Sequence, residues 1–152
     1  MPISYTNIIT LKVLNPIRLL LRNEFENSYP VYISNEYEKK GNQSIRLECI
    51  RQDSNVLGAG GYENQYIIEI SLYLNVSNYE TKKVMDKLYN DTARLEQILF
   101  NKSDPVSRSN DQAFYGGRVN NITFNEKTDD EAEVDGLLCA KIEYLCFYTK
   151  MS

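Results

Sequence analysis

Between Tyr66 and Val76 every second residue is bulky and apolar. Tyr66, Ile68, Ile70, Leu72, Leu74 and Val76 share one face, while Glu69, Ser71 and Asn75 interrupt the other. A period of two belongs to a strand with one buried face, so the segment is predicted as a β-strand. The period then changes. Ser77-Asn78-Tyr79-Glu80 has the form of a capping box, in which the serine oxygen accepts one free backbone amide and the glutamate reaches back to another. From Tyr79 to about Phe100, the residues Val84, Met85, Leu88, Leu95, Ile98 and Leu99 recur at helical spacing and form an apolar stripe. Glu80 at the start and Lys102 beyond the end suit the helix macrodipole.

The closing segment, Gly136 to Lys150, returns to the strand period, with Leu138, Ala140, Ile142, Tyr144, Cys146 and Tyr148 on one face. Its other face begins with Leu137, Lys141 and Glu143 and turns apolar at Leu145 and Phe147. That is expected of a strand central in its sheet or covered by a partner. Arg118 to Phe124 alternates more briefly, with Val119 on one face and Ile122 and Phe124 on the other. Ser44 to Arg51 is a further half-buried strand that sets Ile45, Leu47 and Cys49 opposite Arg46, Glu48 and Ile50. Val31 to Ser34 forms a short extended piece, followed by a polar loop from Asn35 to Asn42. Asn15-Pro16 reads as a helix start, with Asn as the cap and Pro in the first turn, where its missing N–H is not needed. Ile17, Leu20, Leu21 and Phe25 then predict a helix from Pro16 to about Glu26. It closes before Tyr29-Pro30, because proline disfavours helical geometry in the residue before it. Ile8, Ile9, Leu11 and Val13 fit either a short strand or an extension of that helix.

Three connections stand out. Gln52 to Asn64, with Gly58-Ala59-Gly60-Gly61, reads as a mobile hairpin or long loop. Asn101 to Gly117 is long and polar, with Val106, Phe114 and Tyr115 as its bulky anchors; connections above about a dozen residues are usually functional or disordered. Asn125 to Asp135 is acidic. The order helix, strand, strand, helix, strand, strand predicts a single α+β domain whose mainly antiparallel or mixed sheet is packed on one face by two helices.

Composition narrows the function classes. A chain of 152 residues that is 42% hydrophobic and 25% charged has the make-up of one globular domain and not of a disordered one. A net charge of -4 argues against a basic nucleic-acid-binding face. No apolar run approaches the roughly 20 residues of a membrane span, and the first residues lack the pattern of a signal peptide, so a cytoplasmic setting is expected. Cys49, Cys139 and Cys146 have no metal-type spacing and sit in apolar strand-like surroundings, where thiols act as small buried hydrophobes.

The chain has no histidine, which removes Ser–His–Asp and Cys–His nucleophiles and imidazole bases together. Carboxylates remain. Asp129, Asp130, Glu131, Glu133 and Asp135 lack the glycine and closing glutamate of a calcium loop and read as a solvated tip. Asp53, Glu63 and Glu69 flank the glycine-rich stretch without matching a nuclease motif, and that stretch lacks the Gly-Lys-Ser/Thr of a phosphate loop. Neither a metal nor a cofactor is implied. Tyr66, Tyr144 and Tyr148 are expected in the core, whereas Tyr62 and Tyr115 are candidates for an interface, together with Phe114 and Arg118 beside the second long connection.

This layout resembles the phage tail terminator, or tail-completion, proteins of the minor tail protein U kind. The likeness covers about Leu14 to Lys150. It lies in the helix Pro16–Glu26, the strand and long helix of Tyr66–Phe100, and the pair Arg118–Phe124 and Leu137–Tyr148 with its acidic spacer. It implies a virion protein that forms a homo-oligomeric, hexameric ring on the tail tube, stops tube polymerisation and joins the tube to the neck proteins. DNA would pass through the ring without specific binding, and Asp129, Asp130, Glu131 and Glu133 would face the lumen. No membrane is involved. The two long connections, Gln52 to Asn64 and Asn101 to Gly117, are expected to be the arms between subunits. Another head-closure or connector protein, a carboxylate- or metal-dependent enzyme and a small-ligand-binding domain remain the alternatives.

Overall fold

The structure is a computed structural model and describes residues 2–3, 5–26, 28–33, 43–58, 60–75, 81–102, 113–124 and 137–151. The chain opens with a helical stretch whose true cap is Asn7. Its Oδ1 accepts the Thr10 amide at 3.1 Å, and its carbonyl accepts Leu11 N–H. A π-helical segment, Ile9–Leu14, runs directly into α1, Asn15–Glu24. Asn15 therefore lies inside a continuous helix and caps nothing; its own amide reaches back to the Thr10 carbonyl. The cause is Pro16. A proline inside a helix cannot donate to the carbonyl four residues back, and its ring crowds that carbonyl. The carbonyl concerned is Lys12, which instead accepts the Phe114 amide at 3.2 Å. A gap in the helical ladder thus becomes a tether for a segment about a hundred residues away. At the other end Glu26 turns the chain with φ 51, the left-handed conformation that commonly closes helices.

The described strands form one sheet in the order β1-β2-β3-β5-β4, with β1 Val31–Ile33, β2 Gln43–Gly58, β3 Gly61–Asn75, β4 Tyr115–Phe124 and β5 Leu137–Met151. Only β1 and β2 run parallel, so the sheet is mixed. β3 pairs with β2 on one side and with β5 on the other along its whole length. β5 is an inner strand, which accounts for apolar residues on both of its faces.

One face of the sheet makes the core. Ile45 and Leu47 of β2, Tyr66, Ile68, Ile70, Leu72 and Leu74 of β3, and Ala140, Ile142, Tyr144 and Cys146 of β5 are all buried there. Val13, Leu14, Ile17 and Leu21 of the N-terminal helix cover one part. Leu88, Leu95, Ile98 and Leu99 of α2, Thr81–Asn101, cover another. Each such side chain contributes about 1.5–3 kcal/mol over leaving it exposed. The expected α+β domain, with two helices on one face of its sheet, is what forms. The capping box, the 35–42 loop and the acidic 125–135 connection lie outside the described residues.

Irregularities in the strands settle one reading and correct two. Gln52 to Asn64 is the hairpin and not the long loop: β2 and β3 continue into it, and Gly58 pairs with Gly61. Gly58 and Gly60 have φ 80 and 81, values open to glycine and strained for other residues. β4 begins at Tyr115, so Gly116 and Gly117 belong to a strand; φ 63 at Gly116 marks a bulge between Tyr115 and Arg118. A second bulge between Val119 and Asn121 shifts the alternation by one. Val119 pairs with Tyr144, Ile122 with Ile142 and Phe124 with Ala140, so all three lie on the core side and not on opposite faces.

The helices are locked together by a polar cluster at the edge of this core. Tyr29, just after α1, donates its hydroxyl to Asp91 Oδ2 of α2. Lys87 donates to the same oxygen at 3.0 Å, and Asn90 reaches Oδ1. Asp91 is buried, so these donors replace the water it has lost. One turn further along α2, Arg94 places its guanidinium 4.7 Å from the Phe25 ring and donates to the Glu24 carbonyl at the end of α1.

Asp91→Ala should cost about 1–3 kcal/mol of stability, because three donors lose a charged acceptor. It should lower the urea midpoint with an unchanged slope, and Asp91→Asn, which keeps one acceptor oxygen, should cost less. Burial also raises the Cys49 and Cys146 thiols and the Tyr66 hydroxyl above their ordinary values of 9.0 and 10.0. The folded chain then holds these protons more tightly than the unfolded one. Stability should therefore be complete below pH 9.0 and fall as pH rises past 9.0 and 10.0. With no histidine, unfolding free energy should be nearly flat between about pH 6 and pH 8.

Candidate functional site

β2 changes character at Cys49. Up to that residue its alternate side chains are buried; beyond it, between a bulge at Ile50 and the turn at Gly58, nearly every residue is exposed on both faces. β1 stops at its pairing with Leu47, so the outer edge of this part of β2 has no neighbour among the described residues. Together with the start of β3 and the end of β5, it forms a three-stranded arm. At a rise of roughly 3.3 Å per residue, residues 51–58 reach about 25 Å. Val56 is 74% exposed, Leu57 55% and Tyr62 44%. No charged residue occurs between Asp53 and Glu63.

The outer half of the arm is pinned from β4. The Tyr115 hydroxyl donates to Glu63 Oε2 at 2.6 Å and lies 2.6 Å from the Thr149 hydroxyl, while its ring stacks on Phe147. Burial and the Glu63 carboxylate both raise the Tyr115 hydroxyl above its ordinary value, which keeps it a donor. Gly116 permits this stacking: a Cβ there would come within 3.1 Å of Phe147 Cδ2.

A groove lies between the last turns of α2 and the edge strand β4. It is lined by Glu96, Gln97 and Phe100 of α2 and by the β4 residues from Gly117 to Ile122, with a volume of about 760 Å³. Phe100 is 77% exposed. Val119 and Ile122, brought to this side by the bulge, form part of the groove's lining. Lower on the same helix Tyr89 meets Phe124 edge-on at 5.0 Å, which joins α2 to the far end of β4.

The sheet face away from the helices is polar in its middle. Glu48, Glu69 and Glu143 stand side by side on β2, β3 and β5. Arg46 lies 3.4 Å from Glu48, Lys141 lies 3.9 Å from Glu69, and Asn120 donates to Glu143 at 3.0 Å. These partners offset the repulsion expected between like charges on neighbouring strands. Asp53, Glu63 and Glu69 do not converge: Asp53 pairs with Arg51, Glu63 takes the Tyr115 hydroxyl, and Glu69 lies six residues along the strand from Glu63. Among the described residues, no three acid, cysteine or histidine side chains gather in a way that could hold a metal. Cys139 and Cys146 are buried thiols and Cys49 is half-buried. No described helix is long and apolar enough to cross a membrane.

Of the sequence candidates, Tyr62 is exposed on the arm and Arg118 lines the groove. Tyr115 is half-buried, with its hydroxyl on the outer half of the arm. Phe114 is corrected: it is fully buried, edge-on to Tyr144 at 5.9 Å, and serves the core. Asp129, Asp130, Glu131 and Glu133 lie outside the described residues. Val56, Leu57 and Phe100 were not singled out by the sequence reading. Phe100 had a signal, since it stands off the apolar stripe of its helix, and Val56-Leu57 is the one aliphatic pair in an otherwise polar stretch. Compared with known protein families and with curated proteins, the chain matches none.

Tyr115→Phe removes both hydroxyl contacts and keeps the stacked ring. It should lower stability by on the order of 1 kcal/mol and speed amide exchange in the outer half of the arm, in residues 61–63 and 149–151, while leaving the α2 core protected.

Proposed function

We propose that this chain is a ring-forming tail terminator, a virion protein that caps the tail tube, stops its polymerisation and joins it to the neck. The observation that carries the reading is an exposed arm and a groove with an apolar centre at separate places on one molecule. Two unlike patches of this kind give head-to-tail contacts, and head-to-tail contacts that close on themselves give rings. The α+β layout, with a long strand leading into a single long helix, supports the likeness drawn from the sequence. Its value lies in shape: a stiff sheet backed by helices holds the arm in place, so binding orders little of the chain.

On this reading the partners are further copies of the chain, six to a ring, together with the tail tube protein and the neck proteins. Assembly occurs in the host cytoplasm, and the ring ends at the tail–neck junction of the virion. DNA passes through without specific binding. The acidic residues Asp129, Asp130, Glu131 and Glu133 would line the passage and keep phosphates from sticking.

Imaging of particles assembled without this chain tests the reading. Tail tubes of uncontrolled length are expected. Tails of normal length, detached from their heads, would assign the chain to the neck instead.

A further inference from the structure

The arm and the groove lie apart on the molecule, and the apolar centre of one suits the tip of the other. The arm tip brings Val56, Leu57 and Tyr62 into water on a segment without a charge, so it can enter an apolar site without desolvating an ion. The groove offers Phe100, Val119 and Ile122, and its volume of about 760 Å³ equals roughly 25 water molecules, enough for several side chains. Charged groups border both. The arm's acids are Asp53, paired with Arg51, and Glu63, which accepts the Tyr115 hydroxyl. Arg118 and Glu96 line the groove, and Lys102 stands just past the end of α2. Arg118 makes no hydrogen bond or ion pair among the described residues. A third observation concerns the strand edge. Natural edges are usually shielded by lysine, proline or brevity, and the outer edge of β2 beyond Arg51 has neither lysine nor proline and runs on to Gly58.

We propose that Val56, Leu57 and Tyr62 of one copy dock into the α2–β4 groove of the next copy, against Phe100 and Arg118. Each molecule then gives an arm and receives one, so no exposed apolar patch of either kind is left over except at an open end. An isologous pairing of two arms would cover the β2 edges and leave Phe100 in water. The ring geometry rests on the tail-terminator reading, whereas the contact itself does not.

Two variants that each add one cysteine to a Cys49→Ser background, Leu57→Cys and Phe100→Cys, test this when mixed and mildly oxidised. The mixture should give a covalent dimer whose digest holds the 57–100 disulfide, in several-fold excess over a mixture of Ile50→Cys with Phe100→Cys. Arg118→Glu in the groove partner should reduce that yield. A 57–57 dimer as the main product, or a 57–100 yield no higher than the Ile50 control, overturns the docking. Sedimentation of the unmodified chain separates the two ideas. Closed oligomers without the 57–100 bond would sink the contact and leave the ring standing. A 57–100 bond in chains that only lengthen with concentration would keep the contact and sink the ring.

Discussion

Register along β3 is the constraint on which the rest depends. The strand is paired on both sides from end to end, and five of its alternate side chains fill the core face. A slip of one residue would send Ile68, Ile70 and Leu72 to the opposite face. β2 and β5 take their positions from it, α1 and α2 are seated on what it buries, and the arm continues the same ladder to the turn at Gly58. Because the inner strands are fixed, irregularity is confined to the outer ones. The bulges occur in β2 and β4, the strands with an open side, where an extra residue disturbs only one ladder.

Much of this was legible in the sequence. Residues 66–75 and 137–150 announce strands because their alternation is long and one face is rich in aliphatic residues, and α2 announces itself by a stripe that persists over several turns. The parts that were not legible share a physical origin. Beyond Arg51 the chain is polar on both faces, so alternation carries no signal, although the backbone ladder continues unbroken. Around Gly116 and Asn120 a bulge resets the alternation within a short strand, so Val119 and Ile122 look opposed and are not.

Asn15-Pro16 misleads for a different reason. Locally it has the composition of a helix start, yet a long-range partner changes the outcome. The Lys12 carbonyl that the proline leaves open is satisfied by Phe114, and the π-helical turn before it absorbs the crowding. The candidate site was legible to a similar extent. Tyr62 and Arg118 were singled out because they stand beside long connections, and the structure places one on the exposed arm and the other in the groove; Phe114 was misplaced because its polar neighbours concealed a core residue. Phe100 needed the direction of the helical stripe, which periodicity provides, and the location of the neighbouring strand, which it does not.

The position of β5 sets a condition on biosynthesis. It follows every other described strand in the chain and yet lies between β3 and β4. On the ribosome, β3 emerges with one ladder unmatched, and β4 emerges with nothing to lie against. The sheet cannot knit until residues 137–151 have left the exit tunnel, and long-range pairings of this kind form slowly. Nascent copies crowded on one message would meanwhile present open hydrophobic ladders to each other, so yield in the cell should depend on how quickly translation passes from β4 to β5.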